Sequence, residues 1–437
     1  GEVNYLALDD NEKSMLENLA SMKKNGEIKS IIVLINSANA LQVDFLKNND
    51  YDVDAALWIG DVGISGINAV AQILVGDVNP SGSLVDTYCY DNYSAPAMWN
   101  FTPSVYDGYV EGGDVPAKGS TYMIYQEGIY VGYKYYETRY EDYVMGAGNA
   151  GDYAYGDIVA YPFGYGLSYT DFKFSDMTVN YNDALDVYTV AVKVTNTGAV
   201  AGKRTVQLYV QSPYTDYDKQ NGVEKAAVAL VGFGKTGELA PGTSEIVTMN
   251  VNKRDIASYD TYGAGTYILE AGDYYLTVAS NAHEAAKNIL AAKGAEVDGN
   301  AAMTALYNQA QTDTKAFATA ETGAAVTAQM ADADITTYDA DFTYLSRSDW
   351  TGTWPTTYQN GSWEAPEAVL TALEITRPED ESAEMPAFDE AGNLKLCDLI
   401  GADYDDARWE TLLSQMSKKD TYNLIRHAGY GTMAVES

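Results

Sequence analysis

The stretch "YTVAVKVTN" (residues 188–196) decides much of the architecture, because it alternates strictly. Val190, Val192 and Val194 fall on one side and polar or small residues on the other. A period of two is that of a strand with one face in a core. "RTVQLYVQS" (204–212) repeats it with Val206, Leu208 and Val210, and "SEIVTMNV" (244–251) and "GDYYLTVAS" (272–280) continue it. "NTGAVAG", "APGTS" and "EAGD" supply turns between them. Short alternating strands at this spacing predict an immunoglobulin-like or fibronectin-like β-sandwich over residues 173–285.

Toward the N-terminus the pattern changes. "SIIVLIN" (30–36) is apolar and β-branched without alternation, as a strand covered on both faces should be. "AALWIGD" (55–61) reads as a second such strand and "SGINAVAQILVG" (65–76) as a helix. Before them, "DNEKSMLENLASMKKNG" (10–26) carries Met15, Leu16, Leu19 and Met22 at helical spacing, with Asp10 or Asn11 available as a cap. Strand, crossover helix, strand predicts a parallel α/β domain over residues 1–172.

Beyond 285 the reading loosens. Residues 286–340 are rich in Ala and read as helices or linker, and 341–385 carry Trp350, Trp354, Trp363 and prolines of an irregular connector. The expected connector thus spans 286–385. "DDARWETLLSQMSKKDTYNLI" (405–425) returns to helical spacing within a last segment, 386–437, with Trp409, Leu412, Leu413 and Met416 on its apolar side.

Composition excludes several functions. With 62 acidic against 27 basic residues in 437 the net charge is −35, and such a surface repels nucleic acid. Cys89 and Cys397 are far apart and His283 and His427 are the only histidines, so zinc, iron–sulfur and Ser-His-Asp chemistry have no support. "GDVGISG" (60–66) has the spacing GxxGxxG, not GxGxxG, and reads as a tight strand-to-helix turn. "ALVGFGKT" (229–236) ends like a phosphate loop, but Ala229 takes the first Gly position and no helix follows. No run of 18 apolar residues occurs. The Gly1 start and the unpunctuated end read as a piece of a longer protein, and the acidic, Tyr-rich, Cys-poor composition leans toward an extracytoplasmic location.

The chemistry concentrates in "MIYQEGIYVGYKYYETRYED" (123–142), where Glu127 stands among tyrosines. Two readings are open from spacing alone. Glu127 is a solvated surface charge, or it is a carboxyl whose pKa is raised by an apolar, partly desolvated site for use as a general acid. Sugar rings stack on aromatic faces, so a polyhydroxylated substrate suits the segment. One carboxylate is not sufficient for glycoside hydrolysis, which uses two.

Three motifs settle on a family. "GDVNPSGSLVDTY" (76–88), "YQEGIYVGYKYYE" (125–137) and "YPFGYGLSYTDF" (161–172) stand in the order and context of glycoside hydrolase family 3, which the chain resembles over residues 1 to about 285. The resemblance implies that Glu127 is the acid/base carboxyl of a retaining β-glucosidase acting on a β-glucoside or β-linked oligosaccharide, without cofactor or metal. It also implies a reversed domain order: α/β sandwich, fibronectin-like domain, then a (β/α)₈ barrel. The segment 405–425 followed by "HAGYGT" resembles the opening helices of that barrel, so the barrel and the nucleophilic Asp are expected outside this chain, as is the first part of the α/β domain. "SRSDWTGTW" (346–354) offers Asp349 in the nucleophile's Ser-Asp-Trp context, but no barrel pattern surrounds it. Lys134 stands where the family often has Arg. β-Xylosidase, β-N-acetylglucosaminidase and a non-catalytic carbohydrate-binding or scaffold module, with the tyrosines as stacking platforms, are the alternatives.

Overall fold

A computed structural model describes residues 5–101, 103–106, 121–357, 364 and 382–427. The chain divides into two compact units, residues 1–370 and 371–437.

The first unit opens with helix α1 (Asp10–Lys24). Its cap is Asp9, one residue before the expected Asp10, because only Asp9 stands three positions before Glu12. The Glu12 amide donates to Asp9 Oδ1 (2.8 Å) and the Asp9 amide to Glu12 Oε2 (2.9 Å). Strands β1 (Ile32–Ile35) and β2 (Ala55–Trp58) pair in parallel, Ile32 opposite Ala55 and Ile35 opposite Trp58. One face, through Ile35, joins Leu16, Phe45 and Tyr51 in a core, while Ile32 and Leu34 on the other remain exposed. Helix α2 (Gly63–Leu74) follows the expected glycine turn, in which Gly60 and Gly63 have φ of +55° and +58°.

The alternating segments form the expected sandwich. One sheet runs Ala229–Lys235, Thr205–Gln211, Gly272–Ala279, Thr304–Gln309, and the other Ser244–Asn252, Val187–Asn196, Phe172–Asn182. Val190, Val192, Val194, Val206 and Leu208 are fully buried between the sheets, with Val247, Met249, Leu276 and Val278.

Two features differ from the sequence reading. The strand Thr205–Gln211 is buried on both faces: Tyr209 and Gln211, on the outward side, are covered. The Ala-rich helix Ala282–Ala292 packs there, setting Ala282, Ala285, Ala286 and Ile289 against Tyr209. Its small side chains allow close approach. The connector expected from 286 is also corrected. Thr304–Gln309 hydrogen-bonds to Gly272–Ala279 (Tyr307 opposite Tyr274), and Asp313–Phe317 pairs with Thr266–Leu269. The first sandwich sheet thus reaches residue 309, and Asp313–Phe317 belongs to a separate three-stranded sheet with Thr266–Leu269 and Ser258–Asp260; alanines and short runs disguised strands whose stability comes from pairing rather than propensity.

In the second unit the helical segment 405–425 forms two helices, Arg408–Ser414 and Lys418–His427. Ser417 starts the second by accepting from the Asp420 amide (3.0 Å). Met416 is buried, but Leu413 is exposed. Most of "HAGYGT", and Trp363, lie outside the described residues.

Candidate active site

The Tyr-rich segment begins with a tight turn and continues as helix α3 (Tyr133–Met145). Gly128 and Gly132, at φ of +54° and +55°, let the chain turn twice within five residues, and the Tyr130 amide donates to the Glu127 carbonyl (3.0 Å). This turn holds Glu127.

Helix α3 is a core helix with a charged inner face. Glu137 accepts from the Tyr155 hydroxyl (2.5 Å) and meets His283 Nδ1 at 2.8 Å, with the His283 ring stacked on Tyr155 at 3.8 Å. Glu141 accepts from Lys293 Nζ and Gln211 Nε2, each at 2.6 Å. Asp142 takes Arg347 in two hydrogen bonds (2.5 and 3.2 Å) and the Trp350 indole N–H (2.8 Å). Every one of these buried carboxylates is compensated, as burial of charge requires. An open cleft of about 360 Å³ beside the end of α3 is lined by Glu141, Asp142, Tyr275, Lys293 and Arg347, whose charges are already paired, and Glu127 is not among its lining residues.

Most tyrosines of this segment are core residues and not open stacking platforms. Tyr130, Tyr135, Tyr136 and Tyr153 are buried in one cluster with Trp350, which meets Tyr130 and Tyr135 edge-on at 4.8 and 5.7 Å. Tyr125, 67% exposed, is the tyrosine of the turn that faces solvent. Lys134 forms no ion pair among the described residues.

Glu127 differs from its neighbours. It is 6% exposed, yet no other described residue donates a hydrogen bond to its carboxylate or pairs with it. Burial pushes its pKa above the ordinary Glu value, offset only in part by its own backbone amide. The remaining buried carboxylates on the sandwich side have partners: Asp218 and Glu270 share Lys225, and Asp260 accepts from Tyr217 and two amides. Glu127 is therefore the buried carboxyl, among the described residues, whose protonated form its surroundings favour without a compensating partner.

Asp349 is a turn residue. Its Oδ1 accepts from Asn149 Nδ2 (2.6 Å) and the Gly352 amide (3.0 Å), and the first of these chiefly holds its pKa below the ordinary value. Trp350 beside it is fully buried, its amide donating to the Gly148 carbonyl (2.8 Å). In the Ser-Asp-Trp motif, Asp349 is committed to its turn and Trp350 to the core. No group of three His, Cys, Asp or Glu residues among the described residues could hold a metal ion, and no described helix is long and apolar enough to cross a membrane.

Gln126, Glu224 and Arg347, which surround this turn, carry no signal in the sequence. Each acts through a contact between segments some 90 to 230 positions apart.

Comparison with known proteins matches two segments of the chain. The glycosyl hydrolase family 3 C-terminal domain matches residues 2–133, and the fibronectin type III-like domain matches residues 204–282. A β-glucosidase of Ruminococcus albus is 32% identical over 282 residues, covering 64% of this chain and 25% of that protein. β-Glucosidase A of Butyrivibrio fibrisolvens is 33% identical over 293 residues, covering 63% and 30%. The structure of β-glucosidase 3B from Thermotoga neapolitana in complex with α-D-glucose is 27% identical, with a TM-score of 0.51, over 70% of this chain and 35% of that one. The chain thus spans about a quarter to a third of the length of these relatives. The α/β segment with the Glu127 turn thus matches the glycosyl hydrolase family 3 C-terminal domain, and the sandwich that follows matches a fibronectin type III-like domain.

Proposed function

We propose that this chain is the part of a retaining β-glucosidase that supplies the general acid/base, Glu127. The observation that carries the reading is a buried carboxyl left without a partner while each neighbouring carboxylate on α3 is paired. A carboxyl whose protonated form is favoured by burial can protonate the departing glycosidic oxygen, then, as carboxylate, take a proton from the attacking water. Retention needs a second carboxylate, a nucleophile about 5–5.5 Å away. Asp349 is occupied as a turn cap, so the nucleophile is assigned to a barrel domain outside these 437 residues. Glu127 then completes a site at the face of that barrel. A β-glucoside is the favoured substrate because the similar proteins are β-glucosidases and one binds glucose. The chain's own residues bind no metal in this scheme and hold only the proton.

The test is the leaving-group dependence of Glu127→Ala in the full-length protein. A general acid contributes about 10²–10⁴-fold. An alkyl β-glucoside, which needs protonation, should lose activity on that scale. A dinitrophenyl β-glucoside, whose leaving group departs unprotonated, should keep its first step. Equal losses on both substrates would assign the acid to another residue.

A further inference from the structure

The chain that follows the sandwich returns to the Glu127 turn, and the contacts made there are those of a strap. Gln126 lies beside Glu127 and is 4% exposed. Its side chain donates through Nε2 to the Thr343 carbonyl (2.8 Å) and accepts at Oε1 from the Thr356 amide (3.1 Å). Asn100 Nδ2, 3.5 Å from the same Oε1, also donates to the Thr356 carbonyl (2.9 Å). On the main chain, the Leu345 amide donates to the Gln126 carbonyl (2.9 Å). One residue thus ties both ends of the segment 343–356 to the turn.

The middle of that segment is held as firmly. Glu224, from the loop before Ala229–Lys235, accepts from the Tyr130 hydroxyl (2.5 Å), the Ser346 hydroxyl (2.6 Å) and the Arg347 amide (3.0 Å). Tyr130 lies three residues past Glu127 and packs on Trp350. Arg347 bonds Asp142, donates to the Lys225 carbonyl (3.1 Å) and lies 4.7 Å over the Tyr214 ring. The turn bearing Glu127 is therefore gripped on both sides of the carboxyl, at Gln126 and at Tyr130, by residues from three distant parts of the sequence.

We propose that Gln126 is a positioning residue for Glu127 and that residues 343–356, anchored through Glu224, are a strap that fixes the acid/base turn. The inference rests on the reading of Glu127 as acid/base. It gives the Ser-Asp-Trp segment a role other than nucleophile. A carboxyl on a short glycine-flanked turn has no helix or strand to fix it. A misplacement of about 1 Å can cost about 10²-fold in rate. The strap supplies the rigidity that the turn lacks.

Two variants test this: Gln126→Met, which keeps volume and removes the side-chain hydrogen bonds, and Glu224→Gln, which keeps shape and weakens the anchor. In the 437-residue chain, hydrogen exchange of the peptide spanning residues 124–131 should accelerate at least tenfold in both, with the peptides of the sandwich core unchanged. In the full-length protein, Gln126→Met should lower kcat on an alkyl β-glucoside about 10- to 100-fold, with KM little changed. The first step on a dinitrophenyl β-glucoside should change less than about threefold. The alkaline limb of kcat/KM should move to lower pH, because a loosened turn hydrates Glu127 and lets its pKa fall toward the ordinary value. A structural role alone would reduce both substrates equally and leave the pH profile in place. Wild-type exchange and an unmoved profile in both variants would overturn the inference. Glu127→Ala, run alongside, separates the two claims. If it lacks leaving-group dependence, the acid/base reading fails, and with it the positioning claim. If it shows that dependence while Gln126→Met and Glu224→Gln behave as wild type, only the strap fails.

Discussion

Replacing Glu127 by Gln should stabilise the protein at neutral pH, and the gain should depend on pH in one direction. The substitution keeps the shape of a buried side chain and removes its ability to ionise. In the wild type the folded-state pKa is raised by burial, with no cation or donor from another described residue to offset the cost of the charged form. Below the unfolded pKa both states are protonated and the carboxyl contributes no pH-dependent difference. As pH rises through the unfolded value, the unfolded chain releases its proton first, so wild-type stability falls until the folded carboxyl also ionises. Each unit by which the folded pKa exceeds the unfolded one costs about 1.4 kcal/mol above both values. Urea unfolding of the 437-residue wild-type and Glu127→Gln chains at pH 4, 6 and 8 reads this directly. The stability difference, Gln minus Glu, should grow from pH 4 to pH 8 and then level off. A flat difference, or one that shrinks as pH rises, would refute the claim that Glu127 is buried without compensation.

Other expectations follow from the surroundings of the turn. Arg347→Met should destabilise by about 3–5 kcal/mol in urea unfolding, because it leaves Asp142 buried without its cation. The loss should be smaller at pH 4 than at pH 7, since burial already raises the Asp142 pKa and protonation removes the stranded charge. Trp350→Ala should cost about 3–5 kcal/mol by opening a cavity against Tyr130 and Tyr135, read as a lowered urea midpoint. Asp349→Asn, by contrast, should keep catalysis in the full-length protein within about threefold, because its carboxylate only caps a turn. A loss of several orders of magnitude would return Asp349 to candidacy as nucleophile. The isolated 437-residue chain should show no glycosidase turnover, and robust hydrolysis would contradict the assignment of the nucleophile elsewhere.

Much of this was legible because it is periodic or local. The valines of Val187–Asn196 and Thr205–Gln211 announced a sandwich by alternation alone, and "SIIVLIN" announced a parallel strand, although its expected cover on both faces is not met: Ile32 and Leu34 are exposed. Glu127 was singled out as the candidate acid/base by its motif. What the sequence hid is long-range. The outward face of Thr205–Gln211 reads as polar or aromatic, and nothing nearby says that Ala282–Ala292 will cover it. Thr304–Gln309 is a six-residue strand whose partner lies about thirty residues earlier, and its Ala-rich approach suggested helix or linker. The tyrosines of α3 suggested a sugar platform, whereas their rings fill a core around a tryptophan about two hundred residues away. Gln126 has the identity of an ordinary surface residue, and its importance comes from Thr343 and Thr356 arriving beside it.

The central claim is that Glu127 is the acid/base, and azide tests it most directly. Full-length Glu127→Ala would be given a dinitrophenyl β-glucoside with and without sodium azide, and the product followed by NMR. Azide needs no general base, so it can attack a glycosyl-enzyme in the space the carboxyl vacates. The account predicts that turnover rises with azide and that the product is the β-glucosyl azide, with retained configuration. Absence of rescue, or an α-glucosyl azide, would contradict it.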